Sequence, residues 1–62
     1  MPTFGKDFVK SYGSFEKFAV DDGCYKIYET DDNFISIRSP RDEQAMFGSR
    51  YCKNPRLVWE KK

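Results

Sequence analysis

The sequence predicts an α+β fold, in which a small antiparallel sheet carries one or two short helices. The chain has 62 residues, including six Phe, four Tyr and one Trp, and each aromatic ring buries roughly 150–250 Å² of surface. This aromatic content supplies the apolar area that a single domain over residues 1–62 needs to fold. Clusters of Asp, Asn and Gly divide the chain into short β-rich runs, and two segments carry helix-end signals instead.

The first predicted helix covers about residues 6–12. From Phe4 to Phe15, aromatic residues recur at spacings of four, four and three positions, which places them on one side of a helix. Gly13 follows at the position where a left-handed residue commonly ends a helix.

A three-stranded antiparallel meander is predicted over about residues 15–38. Its strands are expected at 15–20, 24–30 and 34–38. Asp21-Asp22-Gly23 lies between the first two runs, and an Asp-Gly pair between β-rich segments is a strong hairpin signal because both residues tolerate positive φ. Asp31-Asp32-Asn33 provides a second turn before the last strand.

A second helix is predicted over about residues 40–47. Ser39 is suited to cap its N-terminus, Pro40 fits the first helical position, and Asp42 completes a weak capping box. Gly48 offers a stop. The alternative is a strand through residues 45–52, which would produce an all-β SH3-like barrel.

A closing C-terminal strand is predicted over residues 56–61, after the break at Pro55. Alternation along this strand places Leu57 and Trp59 on one face and Val58 on the other. In length and hairpin-rich layout the chain resembles two groups of small β-rich binding domains, the SH3-like and cold-shock-type barrels. It lacks the sequence signatures of both, so we assign it to no family.

Residues that carry chemistry are scarce. The chain contains no histidine, which removes the commonest acid–base catalyst and metal ligand. Asp21-Asp22 and Asp31-Asp32 occupy turn positions, where Asp is favoured for its backbone geometry. Cys24 and Cys52 have no imidazole to activate them, and we interpret them as reduced, part-buried thiols, with one disulfide as the alternative. The sequence therefore predicts no enzyme activity, no cofactor and no metal site.

The expected location is the cytoplasm. No apolar run approaches the ~20 residues needed to cross a bilayer. The start Met1-Pro2-Thr3-Phe4 lacks the basic and apolar segments of a secretory signal. We therefore expect no association with membranes.

Charge is distributed unevenly along the chain. Residues 1–37 have a net charge of −3, whereas residues 38–62 have a net charge of +4 and contain all four arginines. Basic and aromatic residues are mixed in this second part, and they predict a binding surface. The candidate partner-binding residues are Arg38, Arg41, Arg50, Tyr51, Lys53, Arg56, Trp59 and Lys61.

A non-enzymatic protein-binding module is the function that the sequence favours. Arg, Tyr and Trp are common at the energetic centre of protein interfaces, and arginine pairs well with the carboxylates of an acidic partner surface. Such a module would act as an inhibitor or adaptor, and small charged domains of this kind are common among phage-encoded proteins that block a host enzyme. The alternative is a single-stranded nucleic-acid-binding domain, in which Tyr51 and Trp59 stack on bases. A homodimer is compatible with so small a domain.

Overall fold

The computed structural model describes residues 3–50 and 52–62. These residues form one antiparallel sheet of four strands, in the order β1-β3-β2-β4, with three helices packed on it. The elements in chain order are β1 (Thr3–Gly5), α1 (Lys6–Lys10), α2 (Phe15–Asp22), β2 (Lys26–Glu29), β3 (Asn33–Ile37), α3 (Pro40–Phe47) and β4 (Arg56–Glu60). The α+β prediction is confirmed. The sheet is not closed, so the barrel alternative is wrong.

The predicted hairpin between β2 and β3 is confirmed. Its two strands pair in antiparallel register from Lys26 opposite Ile37 onward. Thr30 closes the turn: its backbone N–H donates to the Asn33 carbonyl at 2.8 Å, and its hydroxyl accepts a hydrogen bond from the Asn33 N–H at 3.0 Å. Thr30 is fully buried, so these bonds satisfy polar groups that water does not reach.

Residues 15–20 form a helix, so the predicted first strand of the meander is wrong. Ser14 caps α2, because its hydroxyl accepts a hydrogen bond at 3.2 Å from a backbone N–H of the first turn. Phe18 and Ala19 are buried on the side of α2 that faces the sheet. Gly23 ends the helix with a φ of 78°. The Asp-Gly pair therefore ends a helix here, since a left-handed glycine serves a helix end as well as a hairpin.

The other two helices are confirmed. Helix α3 has the predicted bounds, with Pro40 in its first turn and the Ser39 hydroxyl accepting a hydrogen bond at 3.3 Å from the Asp42 N–H. Helix α1 ends at Lys10 rather than at residue 12. The chain then turns through Gly13, whose φ is 86°.

The short strand β1 is an element that the sequence did not predict. It pairs with β3 through Phe4 opposite Phe34, and it has only three residues, which is too few to show an alternating pattern. The Phe4 ring lies 5.0 Å from the Phe18 ring. The aromatic spacing from Phe4 onward therefore joins a strand to two helices rather than marking one helix face.

Strand β3 is covered on both faces of the sheet. Of its five residues, four are buried. On one face Phe34 packs with Phe18 of α2, in a cluster that we call the α2-side core. On the other face Ile35 and Ile37 pack with Met46 of α3, in the α3-side core. The described residues thus form two small hydrophobic cores, separated by the sheet.

The two cysteines are free thiols, as predicted. Cys24 belongs to the α2-side core, whereas Cys52 packs against the α3-side core. Because the sheet lies between the two cores, the disulfide alternative is wrong.

Strand β4 contains a bulge, so the predicted placement of Leu57 and Trp59 on one face of the sheet is wrong. Trp59 pairs with Ile27 and Leu57 pairs with Tyr28, which leaves Val58 as the extra residue. Since Ile27 and Tyr28 are consecutive on β2, their partners lie on opposite faces of the sheet. Trp59 and Val58 pack against the α2-side core, whereas Leu57 is 47% exposed on the α3 face.

Gly23→Ala is expected to destabilise the fold by about 1 kcal/mol, because a side chain is strained in the left-handed region. A Cβ at Gly23 would meet no atom within 4 Å, so the cost is conformational rather than steric. The matched control is Gly48→Ala, where φ is −90°, and it is expected to raise stability by about 0.5 kcal/mol. Urea unfolding followed by circular dichroism measures both values. Equal effects of the two substitutions would contradict the role of Gly23 as the left-handed end of α2.

Candidate functional site

A groove of about 370 Å³ opens between α2 and the end of the sheet where β3 and β4 finish. Three of the predicted partner-binding residues line it: Arg38, Trp59 and Lys61. Helix α2 contributes Glu16 and Val20 to the opposite wall. The groove is the one place where the structure brings several of the predicted residues together, among those that it describes.

Arg38 is held in place by Asp22. Its Nη2 lies 2.6 Å from Asp22 Oδ1 and its Nε lies 3.3 Å from Asp22 Oδ2, which is the two-point geometry that a guanidinium prefers. The Asp22 side chain is 8% exposed, whereas that of Arg38 is 51% exposed. The pair therefore ties the end of α2 to the end of β3 and leaves half of the guanidinium accessible.

The ionised form of Asp22 is favoured by its surroundings. Burial raises the pKa of this carboxyl, but hydrogen bonds, with that from Arg38 foremost, outweigh the effect and hold the pKa below its usual value. The Ser36 hydroxyl is buried and has no hydrogen-bond partner among the described residues, and its position near Asp22 adds to the lowering of this pKa. The contact with Asp22 in turn raises the pKa of Arg38. Asp22 and Arg38 are thus both charged at neutral pH.

Trp59 and Lys61 occupy the β4 side of the groove. Trp59 is partly buried and packs against the α2-side core, so it serves the core and the groove together. The Lys61 backbone N–H donates to the Tyr25 carbonyl at 2.8 Å, which keeps the chain beside β2 after the strand ends. The Lys61 side chain lies exposed at the rim.

The remaining predicted residues do not join this groove. Arg56 lies at the far end of β4, where it pairs with Glu29 at 3.6 Å and with Asp31 at 3.8 Å. The rest are exposed: Arg41 in the first turn of α3, and Arg50 and Lys53 in the segment between α3 and β4. Tyr51 lies outside the described residues.

Two groove residues, Glu16 and Val20, were not among the sequence candidates. They were missed because the segment was interpreted as a strand. Their spacing of four residues places them on one helix face, and Ser14 before Phe15 is a helix-capping signal that predicts this arrangement. Val20 is 75% exposed, the highest value among the large hydrophobic residues that the structure leaves exposed.

A polar cluster on the α3 face was also not predicted. The Tyr28 hydroxyl donates to Glu43 Oε2 at 2.6 Å, and Lys26 Nζ donates to the same oxygen at 3.0 Å. These two hydrogen bonds lower the pKa of Glu43, while the bond to Glu43 raises the pKa of Tyr28. The cluster joins α3 to β2, and we interpret it as structural.

Comparisons with protein-family models, with curated proteins and with solved structures find no match for this chain. The described residues contain no helix long and apolar enough to span a membrane. They also contain no group of three or more Cys, Asp or Glu residues placed to hold a metal ion. The functional interpretation therefore depends on the groove itself.

Asp22→Asn is expected to lower the free energy of unfolding by about 1 kcal/mol at neutral pH, because the Arg38 pair loses its negative partner. The pKa of Asp22 is lower in the folded chain than in the unfolded chain. The advantage of the wild type is therefore complete above the unfolded-state pKa, and it disappears as the pH falls through the folded-state pKa. Urea unfolding of both proteins across this acidic range measures the difference.

The control for this experiment is Asp21→Asn, which removes an equal charge from the exposed neighbouring position on α2. We expect it to leave stability unchanged or slightly higher, since a negative charge near a helix C-terminus is unfavourable. A loss equal to that of Asp22→Asn would show that the contact with Arg38 contributes nothing.

Proposed function

We propose that this chain is a non-enzymatic protein-binding module and that the groove between α2 and β4 contacts the partner. The observation that carries the proposal is the composition of the groove. Val20 is exposed on one wall, Trp59 is half-buried on the other, and Arg38 lies at the rim in a fixed orientation. An apolar anchor site beside an oriented arginine is typical of the centre of a protein interface.

The charges of the groove support a protein partner over a nucleic acid. Glu16 and Asp22 offset Arg38 and Lys61, so the groove has no excess of positive charge. Arg56 is engaged by Glu29 and Asp31 at the other end of the sheet. A single-stranded nucleic acid needs a continuous positively charged track for its phosphates, and these pairings interrupt such a track.

The chemistry of the rim indicates the partner surface. Arg38 is held through Nε and Nη2, which leaves Nη1 outside the contact with Asp22. Together with Lys61 it presents two cationic side chains at the sheet end of the groove. A partner segment that places a carboxylate at this end and an apolar side chain against Val20 would complement both features.

The thiols support a role without catalysis. Burial raises the pKa of Cys24, and the charge of Asp22 raises it further. Burial also raises the pKa of Cys52. A nucleophilic cysteine needs the opposite shift, toward the thiolate. Free thiols are also typical of reducing compartments, and they favour the cytoplasm as the place where this module acts as an inhibitor or adaptor.

Lys61→Glu and Val20→Lys are each expected to reduce partner capture at least tenfold, since each removes one complementary feature of the groove. The immobilised full chain is used to capture proteins from its native host, with and without nuclease treatment. Lys10→Glu is the matched control, because it makes the same charge change at an exposed position of α1. Capture that is equal for all four proteins would refute the assignment of the groove.

The nucleic-acid alternative is tested with a single-stranded oligonucleotide and the fluorescence of Trp59, the one tryptophan of the chain. We expect no change in emission and no mobility shift. Quenching that weakens steeply between about 50 and 200 mM salt would overturn the protein-binding proposal in favour of the alternative.

A further inference from the structure

We propose that the groove binds an amphipathic helix of the partner, and that Glu16 selects a helix with opposite charges at its two ends. The proposal rests on the function proposed for the groove. It adds the secondary structure of the partner segment and the pattern of charges that this segment carries.

Among the described residues, the helices that enclose the α2-side core pack mainly on three strands of the sheet. Helix α1 contacts β1 and β3, and α2 contacts β2. Strand β4 is the next strand after β2, and its Trp59 is only partly buried on this face. A helix is about 10 Å across and neighbouring strands lie about 4.8 Å apart. One further helix beside α2 would therefore lie over β4 and cover the groove.

The groove has its acidic end near the start of α2. The Phe15 ring lies 5.5 Å from the Phe34 ring, near the start of β3, whereas Asp22 pairs with Arg38 just after the end of β3. Helix α2 therefore runs in the same direction as β3. Glu16 precedes Asp22 by six positions on α2, which is about 9 Å along a helix. No described residue forms an ion pair with Glu16.

The basic end of the groove lies where β3 and β4 finish. Tyr25 joins the two segments there, since its N–H donates to the Ile37 carbonyl at 2.9 Å and its carbonyl accepts from the Lys61 N–H at 2.8 Å. Arg38 shares this end and is offset by Asp22. Lys61 has no ion-pair partner among the described residues, so one positive charge remains in excess.

The nearby charged residues leave this arrangement intact. Lys17 and Asp21 line a second cavity beside Tyr12 and do not line the groove. Glu60 is turned to the α3 face, where it lies 3.7 Å from Lys26. The unpaired charges that line the groove are therefore an acid at one end and a base at the other.

The distance between the two ends favours a helix as the occupant. Positions i and i+7 of a helix share one face at a separation of about 10.5 Å, with i+3 or i+4 between them. Side chains on one side of an extended segment are about 6.6 or 13 Å apart, which matches the 9 Å less well. The partner helix thus presents a basic side chain to Glu16, an apolar one to Val20 and Trp59, and an acidic one to Arg38 and Lys61.

Three Ala-based helical peptides of about 16 residues test the charge pattern. Each has a central Leu, with Lys and Asp, two Asp, or two Lys at positions i and i+7. Peptides without Trp allow the emission of Trp59 to report binding at the groove, and the anisotropy of a labelled peptide measures affinity. The wild type is expected to bind the Lys–Asp peptide about fivefold more tightly than either same-charge peptide, as one exposed ion pair allows.

Glu16→Lys is expected to exchange this preference, so that the peptide with two Asp binds about fivefold more tightly than the Lys–Asp peptide. The matched control is Asp32→Lys, which makes the same charge change at an exposed position of the β2–β3 turn and should keep the preference of the wild type. Circular dichroism confirms that both variants are folded. The same shift in both variants would overturn the role of Glu16.

A peptide with Pro in place of the residue before Leu tests the helix itself, because Pro breaks a helix interior. We expect its affinity to fall about tenfold, and equal affinity would overturn the helical occupant. Equal affinity for the three charge patterns, or no binding of any peptide up to about 1 mM, would also overturn the proposal. If capture of host proteins still depends on Lys61 and Val20 in that case, the function proposed for the groove stands.

Discussion

The structure depends on the burial of β3 from both sides. Its neighbours β1 and β2 pair with it on either edge, Phe18 of α2 covers one face, and Met46 of α3 covers the other. A strand covered on both faces must be almost wholly apolar, and Phe34, Ile35 and Ile37 meet that need. Because this short chain divides its apolar residues between two cores, no helix covers Leu57 of β4 on the α3 face, and on the other face α2 leaves the groove beside Trp59 open.

Elements with local causes could be predicted from the sequence. Ser39 and Pro40 fix the start of α3 through their own hydrogen bond and ring geometry, and Thr30 with Asn33 closes the β2–β3 turn within four residues. The left-handed Gly23 was recognised, but its position does not distinguish a helix end from a hairpin. That distinction depends on whether the segment before Gly23 buries Phe18 as a helix or as a strand. Residues distant in sequence decide which of the two forms.

The candidate site was predictable only in part, for the same reason. Alternation assigns Trp59 to a face only if the ladder is regular, and the bulge opposite β2 is a property of the pair of strands. The groove also needs α2, which was interpreted as a strand. Exposure of Val20 follows from the helix and not from its own residue type.

The ion pairs offset part of the uneven charge along the sequence. Arg38 pairs with Asp22, and Arg56 pairs with Glu29, so arginines of the positive second part are matched by acids of the negative first part. The first of these pairs joins the end of α2 to the end of β3, and the second joins β2 to β4. The positive charge that remains accessible at the groove is therefore that of Lys61 and of the exposed half of the Arg38 guanidinium. The contact with Asp22 holds this guanidinium in one orientation.

Exposure of large apolar side chains has a specific meaning in a domain of this size. A chain of 62 residues has a net stability of only a few kcal/mol, and full burial of one aliphatic or aromatic side chain contributes about 1.5–3 kcal/mol. Leaving Val20, Phe47 and Leu57 in water forgoes stabilisation comparable with the whole net stability. The contact that we propose between the groove and a partner would bury the Val20 part of this surface.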